Sequence, residues 1–270
     1  MALKTEMKAL KVELAKIPPA RIVYKAGDPD ITRVVSVETL VGPKGEVGEV
    51  CHIVLDHGGQ FHFVEGQYLG VIFPPDGDVD GLHYTQFCHA LNAYSMASCR
   101  DGDFFHGKRL SLCVRRAELS PESVSNYLCN LKQGDEVHIK GPFGEEMVFP
   151  EDPKAIHIMV ATTTGIAPFR SNIQRLFVDP HTTIPFKGYA WLIAGADNYN
   201  SLLYDLEFSK IMDKIPDHFR YQTALNNSVA DRIYENGDQI FTGLDEGAYI
   251  YFAGSASMMP GIYSDISDNC

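Results

Sequence analysis

The 270 residues carry 23 Lys and Arg against 35 Asp and Glu, which gives a formal net charge of −12. Both halves are acidic, and this argues against a nucleic-acid-binding protein. Hydrophobic residues make up 45% and charged residues 21% of the chain, the composition of a globular protein with one large domain or two ordinary ones. No apolar run is long enough to predict a transmembrane helix, and no apolar block near the start predicts a signal peptide.

Cysteine and histidine are not spaced as metal ligands. The six cysteines form no C-x-x-C pair, and His57, His62 and His83 show no consistent ligand spacing. We therefore expect reduced, mostly buried thiols and no metal site. The cysteines are Cys51, Cys88, Cys99, Cys113, Cys129 and Cys270.

Residues 1–20 are predicted to form an N-terminal amphipathic helix that ends at a Pro-Pro pair. Its apolar residues recur at intervals of four and three, which gives a narrow apolar edge flanked by lysines. These residues are Leu3, Met7, Leu10, Leu14 and Ile17. Two interpretations stay open: the edge packs on its own domain, or residues 1–17 dock into a groove of a protein partner. A transit peptide is less expected, because Glu6 and Glu13 are present and serine is absent.

Residues 21–150 are predicted to form an antiparallel β-barrel or sandwich. Short apolar runs, several with period-two alternation, are separated by Gly, Asp and Pro, which is typical of such folds. The predicted strands are residues 31–41, 51–57, 68–73, 109–119 and 136–143. One short helix is predicted at residues 120–131, where Ser120, Pro121 and Glu122 form a helix-start signature.

Residues 151–270 are predicted to form an α/β domain. Strands alternate with helices, and this order is typical of a parallel sheet with crossover helices. The predicted strands are residues 155–161, 189–196, 220–225 and 248–254, and the predicted helices are residues 166–177 and 201–215. The domain boundary is expected at residues 149–154. The fold class is therefore an antiparallel β-barrel followed by a parallel-sheet α/β domain.

Two strand ends of the α/β domain are candidate binding positions, because open α/β sheets bind ligands at the carboxyl ends of their strands. Thr164 and Gly165 stand where the first strand passes into a helix, whose N-terminus could face a phosphate. Gly254 is the last residue of the last predicted strand, directly after Ala253. Either turn could instead be an ordinary strand-to-helix connection.

The barrel offers a second group of candidates. Tyr94 could stack on a flat ring, and Ser95 could form a hydrogen bond to it. Ser125 and Asn126 lie near the start of the short helix and could hold a diphosphate. The alternative interpretation is an ordinary strand aromatic and an ordinary helix N-cap.

A collinear series of motifs covers residues 31–265. It reads "AYSMAS", "SLCVRR", "SNYLC", "GPFGEEM", "TGIAPFR", "SLLYDLEF", "YIYFAG" and "MMPG". The series resembles the plant-type ferredoxin–NADP⁺ reductases, above all the root form. The resemblance implies an FAD-binding barrel, an NADP-binding α/β domain, ferredoxin as a possible partner, and a location in the plastid.

The resemblance also implies roles for individual residues. Ser95 would be catalytic. Contacts to FAD would come from Tyr94, Ser95, Cys113, Arg115, Ser125 and Asn126. Contacts to the nicotinamide nucleotide would come from Thr164, Gly165 and Gly254.

Several positions that would hold FAD depart from the family pattern. Asn92 stands where the family has an arginine that clamps the FAD diphosphate, and an amide cannot neutralise that charge. Of a four-residue motif at residues 122–125, only Ser125 is retained. The segment between "SLCVRR" and "SNYLC", which would support the adenine end of FAD, is shorter than in the family.

The departures continue at the nucleotide site. Thr163 replaces a glycine of the phosphate turn, Asn226 and Asn227 replace a Ser-Arg pair, and Ala253 replaces a cysteine beside the nicotinamide. The alignment places Asp238 at a lysine and Ile240 at a tyrosine of the 2′-phosphate site. The helix before the last strand is expected to be almost absent. The resemblance implies a final helix, a glutamate and a terminal aromatic, and none of these is expected in the sequence up to Cys270.

These departures predict a non-catalytic family member that serves as a structural or docking subunit of a larger plastid or redox assembly. FAD is then expected to be weakly bound or absent, and NADP is expected not to bind. The alternative is an active FAD-dependent ferredoxin–NAD(P)⁺ oxidoreductase with altered nucleotide preference. A third interpretation is an electron carrier that holds flavin but does not recognise NADP.

Overall fold

Two β-sheets organise the protein, one antiparallel and one parallel. The computed structural model describes residues 29–72, 92–118, 123–183, 185–226 and 229–254. The predicted N-terminal helix at residues 1–20, and with it the docking edge, lies outside the described residues. The same is true of Asn227 and of the residues after Gly254.

Six strands form the antiparallel sheet. They are β1 (Asp30–Val41), β2 (Val50–Asp56), β3 (Tyr68–Ile72), β4 (Asn92–Ser95), β5 (Arg109–Arg115) and β6 (Glu136–Phe143). Their spatial order is β4-β3-β6-β1-β2-β5. An antiparallel bridge between Met96 and Leu112 joins the two ends of this order, so the sheet closes into the predicted barrel.

Strand β2 is buried on both of its faces, which explains its nearly continuous apolar sequence. Cys51, Ile53 and Leu55 point into the barrel core. Val50, one residue out of phase, belongs to a core that it shares with the second domain, together with Cys113 of β5. Successive residues of β2 point to opposite faces of the strand. One set therefore packs in the barrel core, and the other packs against the second domain.

Helix α1 (Val124–Asn130) starts later than the sequence predicts. Its N-cap is Ser123, whose Oγ accepts a hydrogen bond from the Asn126 backbone N–H at 3.2 Å. The predicted start signature at residues 120–122 is therefore wrong as the helix boundary, because a serine three residues later satisfies the first free amide.

Four strands form the parallel sheet, as predicted. They are β7 (Ile156–Thr162), β8 (Tyr189–Ala196), β9 (Phe219–Leu225) and β10 (Tyr249–Ala253), in the order β10-β7-β8-β9. Helices α2 (Ile166–Phe177) and α3 (Asp205–Lys214) pack on one face. Helices α4 (Val229–Glu235) and α5 (Gly237–Asp245) pack on the other. The fold class is confirmed, and the domain boundaries at residues 20/21 and 150/151 stay a prediction.

Helix α5 corrects an expectation. The sequence predicts almost no helix before the last strand, yet α5 fills nine residues there. Ile240 is only 3% exposed and Leu244 packs beside it, so one face of the helix belongs to the core. The i, i+4 spacing of this pair was the available signal, and the glycines at 237 and 243 obscured it.

Helix α3 also begins later than predicted. Tyr204 adopts a left-handed backbone with φ of 57°, which separates α3 from the 3₁₀ turn at Tyr199–Ser201. The predicted single helix over residues 201–215 is therefore divided in the structure.

Four of the cysteines lie in described segments, and all four are buried free thiols. The described part of the chain contains no group of three or more His, Cys, Asp or Glu arranged to hold a metal ion. Among the described helices, none has the length and apolar character needed to cross a membrane.

Candidate nucleotide-binding cleft

The two glycine turns singled out in the sequence meet in the structure. Strands β7 and β10 are parallel neighbours, so their carboxyl ends lie at the same edge of the sheet. A Cβ atom added at Gly165 would lie 2.3 Å from the Ala253 carbonyl oxygen. Gly254 has φ of 146°, and a Cβ there would lie 2.1 Å from Thr162 Oγ1. Both positions therefore require glycine, and their contact builds one continuous edge.

Thr163 occupies this edge in a strained conformation. Its φ is 50°, a left-handed backbone that a β-branched residue rarely adopts. Such strain, of order 1–3 kcal/mol, persists where the surrounding structure enforces it and is common at binding sites. The threonine has thus kept the backbone that a glycine would adopt freely, and it adds a side chain.

An open cleft of about 380 Å³ lies between the barrel and this edge. The barrel lines it with Gly42, Gly48 and Arg115, and the α/β domain lines it with Thr163, Asp197, Asn198 and Ser201. The last three follow β8, the strand next to β7, and were missed in the sequence. The signal for them was their position at the carboxyl end of a second adjacent strand, where such sheets bind ligands.

The charge in the cleft is nearly balanced. Arg115 is the cation and Asp197 the carboxylate among the described residues that line it. The Arg115 guanidinium also donates to Glu118 Oε1 at 3.1 Å, and both side chains are about half exposed. An exposed pair of this kind is weak, so Arg115 can turn to a bound phosphate.

The predicted flavin contacts on β4 are half-buried. Tyr94 packs against the barrel core, and burial, with the Cys129 thiol nearby, raises the pKa of its hydroxyl well above the ordinary value. Ser95 lies opposite Tyr68 in the β3–β4 register. The catalytic role of Ser95 and the flavin contact of Tyr94 stay predictions.

Three other predicted flavin contacts already have protein partners. Cys113 faces the second domain, and burial raises the pKa of its thiol to about 12. The Asn126 side-chain oxygen accepts a hydrogen bond from the Ala117 N–H at 2.9 Å. Ser125 Oγ lies 3.0 Å from Ser123 Oγ. The predicted contacts of these residues with FAD remain untested.

Only some of the residues expected at the 2′-phosphate site lie at the carboxyl edge of the parallel sheet. Asn226 directly follows β9 and has φ of 58°, and its N–H donates to the Asp197 carbonyl at 3.2 Å. Asp238 and Ile240 lie elsewhere, because their neighbour Gln239 accepts from Arg220 at the amino end of β9. Placing those two residues at the nucleotide edge is therefore wrong. Helix α4 carries the chain away from the edge before α5 begins.

Replacing Gly165 with alanine is expected to lower the free energy of unfolding by about 1–3 kcal/mol, the usual range for overpacking. The new methyl group would press on the Ala253 carbonyl. Urea denaturation measures the change. The matched control is Gly237→Ala at the first residue of α5, where no atom lies within 4 Å of the new Cβ. Equal stability of the two variants would contradict the contact between the turns.

Comparison with known proteins places this geometry in a family. Residues 159–263 match the family model described as an oxidoreductase NAD-binding domain. The embryo isozyme of chloroplastic ferredoxin–NADP reductase from Oryza sativa subsp. japonica is 45% identical, and the alignment covers 96% of this chain and 73% of that protein. The root-type chloroplastic isozyme from Nicotiana tabacum is 46% identical over the same shares.

A solved structure has the same fold. The ferredoxin–NADP⁺ reductase from Plasmodium falciparum superposes with a TM-score of 0.76 at 22% identity, covering 92% of this chain and 93% of that one. The same reductase with 2′P-AMP gives a TM-score of 0.75 at 23% identity, with coverage of 91% and 94%. From these relatives of high coverage it follows that the chain belongs to the ferredoxin–NADP reductase family.

Proposed function

We propose that this protein is a flavin-dependent oxidoreductase of the ferredoxin–NADP reductase type that accepts a pyridine nucleotide in the cleft between its domains. The contact of the Gly165 and Gly254 turns, beside a cleft of about 380 Å³, is the observation that carries this proposal. The absent Cβ atoms let the two turns pack against each other at the carboxyl edge, where open α/β sheets bind their ligands.

The nucleotide would be held chiefly by its diphosphate and ribose. The turn before α2 places the positive end of a twelve-residue helix at the edge. Arg115 would pair with a phosphate from the barrel side. Asn198 and Ser201 would donate hydrogen bonds from the other wall of the cleft.

The residues of the barrel fit a flavin nucleotide in part. Tyr94 and Ser95 lie half-buried on β4 and would contact the ring, while Ser125 would hold the phosphate end. When bound, FAD supplies a centre that exchanges two electrons with a pyridine nucleotide and one at a time with an iron–sulfur protein. The role of the protein is to hold the two nucleotides in a fixed relation and exclude water from the contact.

Recognition of the 2′-phosphate is proposed to be weak. Asn226 offers an amide where two charged hydrogen bonds would be needed, and Asp197 adds a carboxylate at the same edge. The protein would therefore bind NADPH little better than NADH. This is the altered nucleotide preference expected as an alternative from the sequence.

The electron partner and the location are proposed from the relatives. Proteins that are 45% and 46% identical carry the name ferredoxin–NADP reductase and the designation chloroplastic. We accordingly place this protein in the plastid, with a ferredoxin as its one-electron partner.

A second candidate function is a non-catalytic docking subunit with weak or absent FAD and no NADP binding. The observation that favours it is Asn92, the exposed first residue of β4, which presents an amide where a flavin diphosphate would need a cation. Residues 1–17 would then supply the contact with the larger assembly.

Calorimetric titration of the FAD-loaded protein with NADH and with NADPH tests the proposal. We expect both to bind, with dissociation constants within about tenfold, or about 1.4 kcal/mol, of each other. Arg115→Ala should weaken both by about tenfold. The control Arg33→Ala removes an exposed barrel cation paired with Glu136 and should change neither. No binding by the unaltered protein, or no effect of Arg115→Ala, would contradict the proposed site.

A further inference from the structure

A buried polar network joins the two domains, and several of its members lie close in sequence to residues that line the cleft. The barrel contributes His52 from β2 and Asp103 from the loop before β5. The α/β domain contributes Arg170 from α2, Tyr204, and Glu207 from α3. None of these residues was a candidate in the sequence.

Asp103 is the centre of this network. Its Oδ1 accepts from Arg170 Nη1 at 2.7 Å, and its Oδ2 lies 3.2 Å from His52 Nε2. Arg170 Nη1 also donates to the Ala97 carbonyl at 2.8 Å, and its Nε donates to Glu207 Oε2 at 2.8 Å. The side chains of Asp103 and Arg170 are only 12% and 8% exposed.

The two ring nitrogens of His52 face different partners. Nε2 lies against the Asp103 carboxylate, and Nδ1 lies 2.9 Å from the Tyr204 hydroxyl. Burial alone would raise the pKa of Asp103, but the His52 hydrogen bond and the Arg170 charge hold it well below its ordinary value. The Arg170 guanidinium also lies over the Tyr204 ring, 4.5 Å from its centroid. Every contact within this network is thus directed, in contrast to the apolar core that the two domains also share.

In the sequence, members of this network lie close to residues that line the cleft. His52 follows the cleft residue Val50 by two positions, and Tyr204 directly follows the cleft residue Leu203. Arg170 lies one turn along the helix that begins at the Thr163–Gly165 turn. A shift of the network would therefore move both walls.

We propose that Asp103 is a positioning residue that holds α2 and Tyr204 against the barrel and thereby sets the width of the cleft. Buried ion pairs are often no more stabilising than apolar side chains of the same size, but they favour one arrangement over others. An apolar interface would hold the domains together, whereas this network also fixes their register. The part of the proposal that concerns nucleotide binding rests on the proposed function.

Amide hydrogen exchange of the full-length Asp103→Asn variant tests whether Asp103 sets the width of the cleft. Asparagine keeps the shape but removes the charge that holds Arg170. We expect at least tenfold faster exchange at the amides of Thr164, Gly165 and Leu203, and unchanged exchange at Leu192 in β8. Glu136→Gln, which breaks an exposed pair on the barrel, is the control and should change none of them. Unchanged exchange at the cleft in Asp103→Asn would overturn the proposal.

The double variant Asp103→Asn/Arg170→Met separates positioning from stability. It removes the guanidinium that in the single variant has lost the Asp103 charge and keeps only its Glu207 and Ala97 contacts, so the thermal midpoint should recover toward that of the unaltered protein. Exchange at the cleft should stay at least tenfold faster, because the directed contacts are still missing. Recovery of both quantities together would show that the pair only stabilises the fold. The double variant also serves as the test if Asp103→Asn does not fold.

Nucleotide titration distinguishes the two proposals. If the unaltered protein binds NADH, Asp103→Asn and the double variant should bind it at least tenfold more weakly. Binding by the double variant at the unaltered affinity would count against positioning. Failure of the unaltered protein to bind NADH would count against the proposed function, and the exchange result would still decide the role of Asp103.

Discussion

Replacing Glu49 with alanine is expected to lower the free energy of unfolding by about 3–5 kcal/mol, the usual cost of leaving a buried charge without its partner. Glu49 is 1% exposed. Its carboxylate accepts from the Arg116 Nε at 2.8 Å, the Thr39 hydroxyl at 2.8 Å and the Gly45 N–H at 2.9 Å. The substitution would leave the Arg116 guanidinium, 9% exposed, with its Asn130 contact but no counter-charge.

The same substitution should disturb the cleft, because Glu49 ties down the turn whose Gly42 and Gly48 line it. Urea denaturation measures the stability loss, and NADH titration measures the effect on binding. Glu136→Ala is the matched control, since it breaks an ion pair whose side chains are 65% and 47% exposed and should cost about 0–1 kcal/mol. A loss of the same size in both variants would contradict the role assigned to Glu49.

The stability of the protein is expected to fall by about 3 kcal/mol between pH 6.5 and pH 4 through His157 alone. Its side chain is buried, with the ring stacked 4.1 Å from the Phe149 ring. Its Nδ1 has no hydrogen-bond partner among the described residues. Burial lowers the pKa of His157 to about 4, although Asp152 acts in the opposite direction. Between these pH values His157 is protonated in the unfolded chain but stays neutral in the folded protein. The free energy of unfolding therefore decreases as the pH falls through this range.

His157→Phe isolates this contribution. Phenylalanine keeps the ring stack and cannot be protonated, so the loss of unfolding free energy between pH 7.5 and pH 5 should be smaller by about 2 kcal/mol than in the unaltered protein. Denaturation curves at the two pH values measure it. An unchanged slope in His157→Phe would show that the ring is protonated freely in the fold.

Local sequence patterns were sufficient to predict the helices and strands whose apolar residues repeat regularly. Helix α2 occupies the predicted residues 166–177 because Ile166, Phe169 and Ile173 repeat at helical spacing and all face the core. Strand β8 matches residues 189–196 because its run of buried apolar residues is bounded by a glycine and a polar turn. Helix α5 was missed because two glycines hid a short apolar face.

The meeting of Gly165 and Gly254 could be predicted, since a parallel topology brings strand ends to one edge. The network around Asp103 could not. His52, Asp103 and Arg170 lie more than 50 residues apart in sequence from one to the next, and their contact depends on how two separately folded sheets dock. No periodicity in a single segment reports such an arrangement.

Asp238 and Ile240 were misplaced for a related reason, because motif spacing alone does not report where α4 carries the chain before α5 begins.

Anaerobic mixing of the FAD-loaded protein with NADH or NADPH tests the central claim most directly, with the visible absorption of the flavin as the readout. We expect both nucleotides to bleach this absorption at stoichiometric FAD, with apparent affinities within about tenfold of each other, and oxidised ferredoxin to restore the absorption. A protein that retains FAD but is not bleached by either nucleotide, or one that cannot be loaded with FAD, would contradict the claim and favour the non-catalytic docking subunit.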